Sequence, residues 1–262
     1  MFLDSHAHLD GPQFAADREA TIQRAYDAGV RAMLAIGNGD GPDDIACAIP
    51  FAERYPWIYA SVGVHPHEAR LLTPAHLANM ESLARHPRVI AIGEIGLDYH
   101  YDHSPRDVQR AVFARLIALA RAVKKPIVVH TRVAAEDTLS LLASEGARDV
   151  GGVIHCFSED RPFAERALDL GFDLSFSGIL TFKSARAIHE VAAWAPLDRI
   201  LVETDSPYLA PVPMRGKPCE PAFVTYTATR LAELRGLDMA ALAEATTANA
   251  ERRFGRSFPR GS

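Results

Sequence analysis

The chain has 262 residues and a formal net charge of −5 at pH 7. That length suits one large domain, and α/β barrels often reach it as a single unit. The negative balance excludes a protein that binds nucleic acid over its whole surface. It still allows a nuclease, because bound divalent cations can supply positive charge where a phosphate needs it.

The N-terminus has no basic region followed by a long apolar run. We therefore expect neither a signal peptide nor a transmembrane segment. The three cysteines, Cys47, Cys156 and Cys219, lie far apart and show no metal-type pair spacing. They predict free thiols in a reducing compartment, so we expect a cytoplasmic protein.

Short apolar segments rich in β-formers recur along the chain and alternate with segments of helical period. Helical period is clear in "SPRDVQRAVFARLIALARAV", where apolar residues follow i, i+4 spacing and Pro105 stands in a tolerant first turn. An earlier helix is predicted in "PQFAADREATIQRAYDAG", ending at Gly29. The eight predicted strands are "MFLDSHAHL", "RAMLAIGNG", "IYASVGVHP", "VIAIGEIGLD", "PIVVHTR", "GGVIHCFS", "DLSFSGIL" and "RILVETDSP".

Eight strand–helix repeats predict an α/β fold, a (β/α)8 TIM barrel that forms a single domain over residues 1–262. The proline-rich "SPYLAPVPMRGKPCEP" predicts a loop over the barrel mouth, and extra C-terminal helices are expected in "AFVTYTATRLAELRG" and "MAALAEATTANAERRFG". An open doubly wound sheet is the alternative. It is disfavoured because no glycine-rich phosphate fingerprint follows the first strand.

Polar residues capable of metal chemistry cluster at the ends of the predicted strands. Residues two apart on a strand share a face, so His6 and His8 of "FLDSHAHLD" can bind one ion. The C-terminal ends of barrel strands meet at one rim, where such folds carry their active sites. The residues predicted to meet there as metal ligands are His6, His8, Glu94, His130, His155 and Asp205.

Four imidazoles and two carboxylates exceed the needs of one tetrahedral ion, and they predict two divalent ions. Because the first and eighth strands are neighbours in a closed barrel, His6, His8 and Asp205 should hold one ion. The adjacent fifth and sixth strands place His130 and His155 on the other. Glu94, on the fourth strand, should bridge the pair.

Other polar residues are predicted to support this centre or contact substrate. His65 and Arg215 are expected to bind substrate, Arg215 through a bidentate contact with an anion. Asp4 and Glu203 have either a structural role or one in orienting ligands. Asp98 either orients a ligand or forms a turn. Cys156 should point away from His155 into packing.

The chain resembles the TatD family of metal-dependent deoxyribonucleases, which lie within the amidohydrolase-like barrels. The resemblance rests on "DSHAHLD", "GVHPH", "IGEIGLDY", "VVHTR", "HCFSED", "SFSGILTFK", "ETDSPYLAP" and "RGKPCEP", and it covers nearly the whole chain. It implies the same six ligands that barrel geometry selects. One departure is Cys219, which stands where many members have asparagine.

The resemblance implies a 3′-to-5′ exodeoxyribonuclease, with RNA also accepted. A pocket at a barrel mouth favours single-stranded or frayed ends over an intact duplex, and two metal ions are expected to activate the attacking hydroxide. Glu94 and Asp205 are the predicted catalytic residues, Glu94 as bridge and Asp205 as proton acceptor. The ions are expected to be Mg²⁺, Mn²⁺ or Zn²⁺. We expect a monomer that does not bind membranes.

Two other functions remain open from the residues. A metal-activated hydroxide can also attack an acyl ester, as in a D-aminoacyl-tRNA deacylase. A catalytically inert barrel scaffold is the second alternative. It is disfavoured because all six ligand-type residues are present.

Overall fold

The computed structural model describes residues 1–259. Eight strands alternate with eight helices, and a ninth helix follows. The strands are β1 (Phe2–Ala7), β2 (Val30–Ala35), β3 (Ile58–Val62), β4 (Val89–Asp98), β5 (Ile127–Arg132), β6 (Gly152–Ile154), β7 (Phe172–Phe176) and β8 (Ile200–Val202). The helices are α1 (Arg18–Asp27), α2 (Ile49–Arg54), α3 (Pro74–Leu83), α4 (Arg106–Val123), α5 (Ala135–Ser144), α6 (Arg161–Asp169), α7 (Arg186–Trp194), α8 (Val224–Arg235) and α9 (Met239–Phe254).

The strands form one parallel sheet in the order β1 to β8. Two backbone contacts join its edges just beyond β8: Asp205 donates its N–H to the carbonyl of His6 over 3.0 Å, and His8 donates to Ser206 over 2.8 Å. A parallel bridge between Ala7 and Ser206 lies in the same place. These contacts bring the two outer strands together into the predicted TIM barrel.

Burial on both faces explains why the strands have apolar runs and do not alternate. All ten residues of β4 are buried. In the outer layer, the apolar residues of α4 that follow i, i+4 spacing pack against the barrel. Val112, Leu116 and Ala120 are buried, whereas Val108 and Leu119 are half-buried. The fold thus has one apolar layer between the sheet and its surrounding helices.

A second apolar cluster fills the barrel interior and its N-terminal end. There Leu3, Leu34 and Tyr59 pack with Phe254 of α9 and with Phe258. The predicted C-terminal helices therefore do more than extend the chain, because α9 covers the end of the barrel opposite the strand termini that carry histidines.

Some predicted segments were too long. The first helical segment divides into a 3-10 turn, Pro12–Phe14, and α1. β6 and β8 have only three residues each, since the polar residues that follow them leave the sheet. α4 begins at Arg106, with Pro105 as its N-cap.

The proline-rich segment lies at the barrel mouth as predicted. It is held to the loop after β7, where the backbone N–H of Val212 donates to the Thr181 hydroxyl over 2.9 Å. No helix within residues 1–259 is long and apolar enough to cross a membrane. The assignment of residues 1–262 to a single domain stays a prediction.

Candidate metal centre

The structure brings all six predicted ligand residues to the C-terminal rim of the barrel. His6, Glu94 and His130 lie within strands, His8 and His155 directly follow β1 and β6, and Asp205 lies three residues beyond the end of β8. Four of the six are buried and the other two, His8 and His130, are half-buried. Six polar groups from five different strands thus share one space with little access to water.

The backbone conformation at Asp205 and at Gly96 helps to place the ligands. Asp205 adopts φ 57°, a left-handed conformation uncommon for residues other than glycine. In β4, Gly96 has φ 146°, and a Cβ there would overlap the carbonyl oxygen of His130. A glycine is therefore required for β4 and β5 to approach closely enough to join Glu94 and His130.

One donor group comes from the junction of β1 and β8. The Nε2 atoms of His6 and His8 lie 3.2 Å apart. Asp205 Oδ1 lies 3.7 Å from the first and 3.6 Å from the second. This is the group predicted for one ion.

The second donor group comes from the adjacent β5 and β6. His130 Nδ1 and His155 Nε2 lie 3.3 Å apart, and Glu94 Oε1 lies 2.9 Å and 2.7 Å from them. The other carboxylate oxygen, Oε2, faces the first group at 3.4 Å from His6 Nε2. Glu94 therefore offers one oxygen to each donor group.

The donor sets fit bound divalent ions. Two imidazole nitrogens at about 2.0–2.1 Å from one tetrahedral ion lie about 3.3–3.4 Å from each other. The observed separations of 3.2 Å and 3.3 Å agree with that value. Imidazole and carboxylate together suit Zn²⁺ and Mn²⁺, and carboxylate suits Mg²⁺.

The electrostatics keep the central carboxylate charged. Burial alone would raise the pKa of Glu94, but the imidazoles of His155 and His65 hold it well below its usual range. Burial likewise opposes ionisation of Asp205, yet its contact with His8 lowers its pKa. Both carboxylates are therefore anions, the form that binds a cation.

Two acidic side chains, Asp98 and Glu203, contact the rings of predicted ligands. Asp98 accepts from His130, with Oδ2 3.2 Å from Nε2, so it orients a predicted ligand. It also accepts the N–H groups of His100 and Tyr101, so it forms a turn as well. Glu203 is buried, with Oε1 3.4 Å from His155 Nδ1.

Asp4 has a structural role and does not orient a ligand ring. Its carboxylate accepts from the backbone N–H and the hydroxyl of Thr204 at 2.9 Å and 2.6 Å, and from the backbone of His6 at 3.3 Å. It holds no ring nitrogen, and His6 Nδ1 has no hydrogen-bond partner. Burial raises the pKa of Asp4 to about 8.

Asn38 is a functional residue that the sequence reasoning missed. Its Oδ1 accepts the backbone N–H of Glu94 at 2.9 Å, and its Nδ2 lies 3.3 Å from Glu94 Oε2. The available signal was its position just after β2, in "RAMLAIGNG", where a polar residue meets the same rim. Asn38 therefore helps fix the bridging carboxylate in place.

The two predicted substrate-binding residues differ in their surroundings. His65 lies at the centre, with Nε2 3.5 Å from Glu94 Oε1, close enough to act as a further donor beside His130. Arg215 is exposed on the proline-rich loop, and its guanidinium stacks over Phe182 at 4.3 Å. Its contact with an anion stays a prediction.

Two cysteines lie next to the segments that carry predicted ligands, Cys156 directly after His155 and Cys219 against Thr204. The alternation argument for Cys156 does not apply, because β6 ends at Ile154 and Cys156 has φ 44°. Its Sγ lies 3.2 Å from the Ser177 hydroxyl and it is half-buried. Cys219 is fully buried, with Sγ 3.9 Å from the carbonyl of Thr204.

A TIM barrel whose C-terminal rim joins histidines and carboxylates in two linked donor groups defines a metal-dependent hydrolase of the barrel class. The family model described as TatD related DNase matches residues 3–255. The chain belongs to this TatD family, as the resemblance predicted.

Individual relatives agree with this assignment. The chain is 44% identical to the uncharacterized metal-dependent hydrolase YabD of Bacillus subtilis, over 97% of this chain and 99% of that protein. It is 34% identical to a Salmonella typhimurium protein named 3′-5′ ssDNA/RNA exonuclease TatD, over 96% and 98%. The crystal structure of YjjV, a TatD homologue from Escherichia coli K12, superposes with a TM-score of 0.91 at 30% identity, over 97% and 98% of the two chains.

Proposed function

We propose that this TatD-family hydrolase cleaves phosphodiester bonds as a 3′-to-5′ exonuclease on single-stranded or frayed DNA ends, with RNA also accepted. In this proposal His6, His8 and Asp205 hold one divalent ion, His130 and His155 hold a second, and Glu94 bridges them. The observation that carries the proposal is the position of Glu94, whose two oxygens face two separate groups of donors.

Two divalent ions, when bound, lower the pKa of a water molecule and offset the charge that develops on the phosphoryl oxygens. The chain's own residues supply the geometry. Asn38 and Asp98 fix the orientation of Glu94 and His130 through the hydrogen bonds described above. The Asp205 side chain is 12% exposed, enough to meet an entering substrate and to accept a proton from the attacking water. His65 and Arg215 contact the phosphate.

A nucleic-acid substrate is supported by the family and by the name of the Salmonella relative. A recessed rim favours an end over a continuous duplex, because a strand terminus can enter where a full helix cannot. Mg²⁺, Mn²⁺ and Zn²⁺ are all candidates for the ions. We also propose that the protein is a cytoplasmic monomer.

The central experiment is a nuclease assay on purified protein titrated with each of the three ions. Single-stranded DNA carrying a 5′ label should shorten progressively from its 3′ end, and RNA of the same sequence tests the wider substrate range. A D-aminoacyl-tRNA assayed in parallel tests the ester alternative. Hydrolysis of that ester without any cleavage of nucleic acid would reject the proposed substrate.

The bridging role is tested with Glu94→Gln, which keeps the side-chain shape and removes the charge. We expect loss of activity and loss of one or both ions in a metal analysis, with the fold retained by circular dichroism. Glu190→Gln, on the exposed surface of α7, is the matched control and should behave as wild type. A Glu94→Gln variant that degrades DNA at the wild-type rate would refute the bridge.

A further inference from the structure

Large apolar and aromatic side chains are exposed mainly at the mouth of the barrel. Within residues 1–259, seven such side chains are exposed, and five of them lie in loops that follow strands. Those loops form the rim that carries the metal centre. The five are Leu71, Tyr101, Val133, Tyr208 and Val212.

Two of these residues are tyrosines near the centre, Tyr208 in contact with a predicted ligand and Tyr101 in contact with a histidine that shares Asp98 with another ligand. Tyr208 is 55% exposed, and its ring centroid lies 5.9 Å from that of His8. Tyr101 is 50% exposed, and its ring lies 5.3 Å from that of His67. His67 Nε2 in turn lies 3.0 Å from the Asp98 oxygen that also contacts His130.

The barrel topology places these tyrosines on opposite flanks of the centre. Tyr208 belongs to the β8–β1 side, whereas Tyr101 follows β4, which pairs with β5. In a closed barrel of eight strands, those two junctions face each other across the axis. A phosphate held between the donor groups would therefore have one exposed tyrosine ring on each side.

The surroundings of Tyr101 suit a planar ligand that carries an anionic group. The ring of His103 is parallel to it, with an interplanar angle of 7° and a centroid distance of 5.6 Å. The Arg132 guanidinium lies 4.8 Å from its centroid. The Arg132 contact is a cation–π contact over the ring, and exposed aromatic rings combined with arginine are the groups that bind the bases and backbone of single-stranded nucleic acid.

We infer that the nucleobases on the two sides of the scissile phosphate stack on Tyr208 and Tyr101, one on each. The inference rests on the proposed function and names how its substrate is recognised. Two adjacent bases can reach opposite flanks only when they are unstacked from each other, so this arrangement selects single strands. Stacking tolerates every base, so it predicts little sequence preference.

The test uses Tyr101→Leu, Tyr208→Leu and the matched control Tyr226→Leu, whose tyrosine is 38% exposed on the outer helix α8. The substrates are a single-stranded oligodeoxynucleotide and the same strand with abasic tetrahydrofuran residues at its two 3′-terminal positions. Each leucine at the mouth should raise KM for the normal strand roughly 5- to 150-fold, the range expected for one stacked base. The value of kcat should change little, and the control should match wild type.

The abasic strand isolates the stacking contact. For wild type, KM should be much higher for the abasic strand than for the normal strand. For each leucine variant, the rise in KM from the normal to the abasic strand should be much smaller. Tyr101→Phe and Tyr208→Phe, which keep the ring, should retain the wild-type KM. Metal content equal to that of wild type shows that each variant is folded at the centre.

Unchanged KM in the leucine variants would overturn the inference, and so would an equal penalty on normal and abasic strands. A shift in oligomeric state without a change in KM would instead assign the tyrosines to an interface between copies. Failure of the proposed function would be seen differently, because wild type itself would then cleave no nucleic acid.

Discussion

Replacing Asp98 with asparagine should weaken the binding of one metal ion. In the native protein, Asp98 Oδ2 lies 3.2 Å from His130 Nε2 and so fixes the ring proton on that atom. The opposite ring atom, Nδ1, lies 2.9 Å from Glu94 Oε1 and 3.3 Å from His155 Nε2, and with the ring proton on Nε2 its lone pair can bind an ion together with these two groups. The carboxylate thus selects the tautomer that the centre requires.

The orientation of the asparagine follows from the backbone. The N–H groups of His100 and Tyr101 both donate to Asp98 Oδ1 at 2.9 Å, so an amide would keep its oxygen there. Its NH2 group would then point at His130 Nε2 and turn that atom into an acceptor. The ring proton would move to Nδ1, the atom that should bind the ion.

Loss of such a supporting contact typically lowers metal affinity about 10- to 100-fold. Competition against a chelator of known affinity measures that change, and the ion at His6 and His8 should keep its affinity. Asp102→Asn is a control in the same loop, since Asp102 pairs with Arg106 at 2.7 Å. Two ions bound by Asp98→Asn with wild-type affinity would refute the tautomer argument.

Three further results are expected. Asn38→Ala leaves the buried N–H of Glu94 without an acceptor, so the free energy of unfolding should fall by about 1–3 kcal/mol. Chemical denaturation measures this change, and a nuclease assay should show lower activity. An unchanged free energy of unfolding would contradict the role of the contact. Each of the two divalent ions, at 100 times its dissociation constant, should stabilise the fold by about 2.7 kcal/mol; calorimetry with and without a chelator checks this, and identical melting temperatures would count against a metal centre in the folded state. Asp173→Asn should destabilise the protein by about 1.5–3 kcal/mol, because fully buried Asp173 accepts from Arg199 at 2.6 Å and Arg253 at 2.8 Å. Burial opposes ionisation of Asp173, but these arginines lower its pKa from the ordinary 3.8. The stability that the ionised carboxylate contributes is therefore present above pH 3.8 and is lost as the pH falls further. Denaturation of wild type and Asp173→Asn between pH 3 and 7 should show their difference in unfolding free energy shrinking only at the acidic end.

The sequence predicted the fold and the meeting of the six candidate ligands at one rim for the same reason. Parallel strands in a barrel are buried on both faces, so their apolar runs are visible, and the polar residues that end them must meet at one rim. His6, Glu94 and His130 lie within strands, where side-chain direction follows a fixed period. His155 and Asp205 lie just past strands and were found by position alone.

What the sequence could not predict depends on backbone conformations outside the strands. The left-handed conformations of Cys156 and Asp205 set where their side chains point, and no periodicity encodes them. The contact of Asp4 with Thr204 spans the junction where the barrel closes, some 200 residues along the chain. Asn38 was missed because its role is a contact with a residue 56 positions away.

The two ends of the barrel serve different needs, and this separation explains how a polar centre can exist inside an apolar fold. At the N-terminal end, Phe254 and Phe258 pack against the residues of the barrel interior, and Asp173 joins α9 to the sheet through Arg253. At the C-terminal rim, six buried or half-buried polar groups face one another. Because Asp173 lies on β7 near that opposite end, its replacement should lower stability and leave kcat unchanged in the folded protein. Packing at the other end therefore supplies stability that lets the rim hold six polar donors close together.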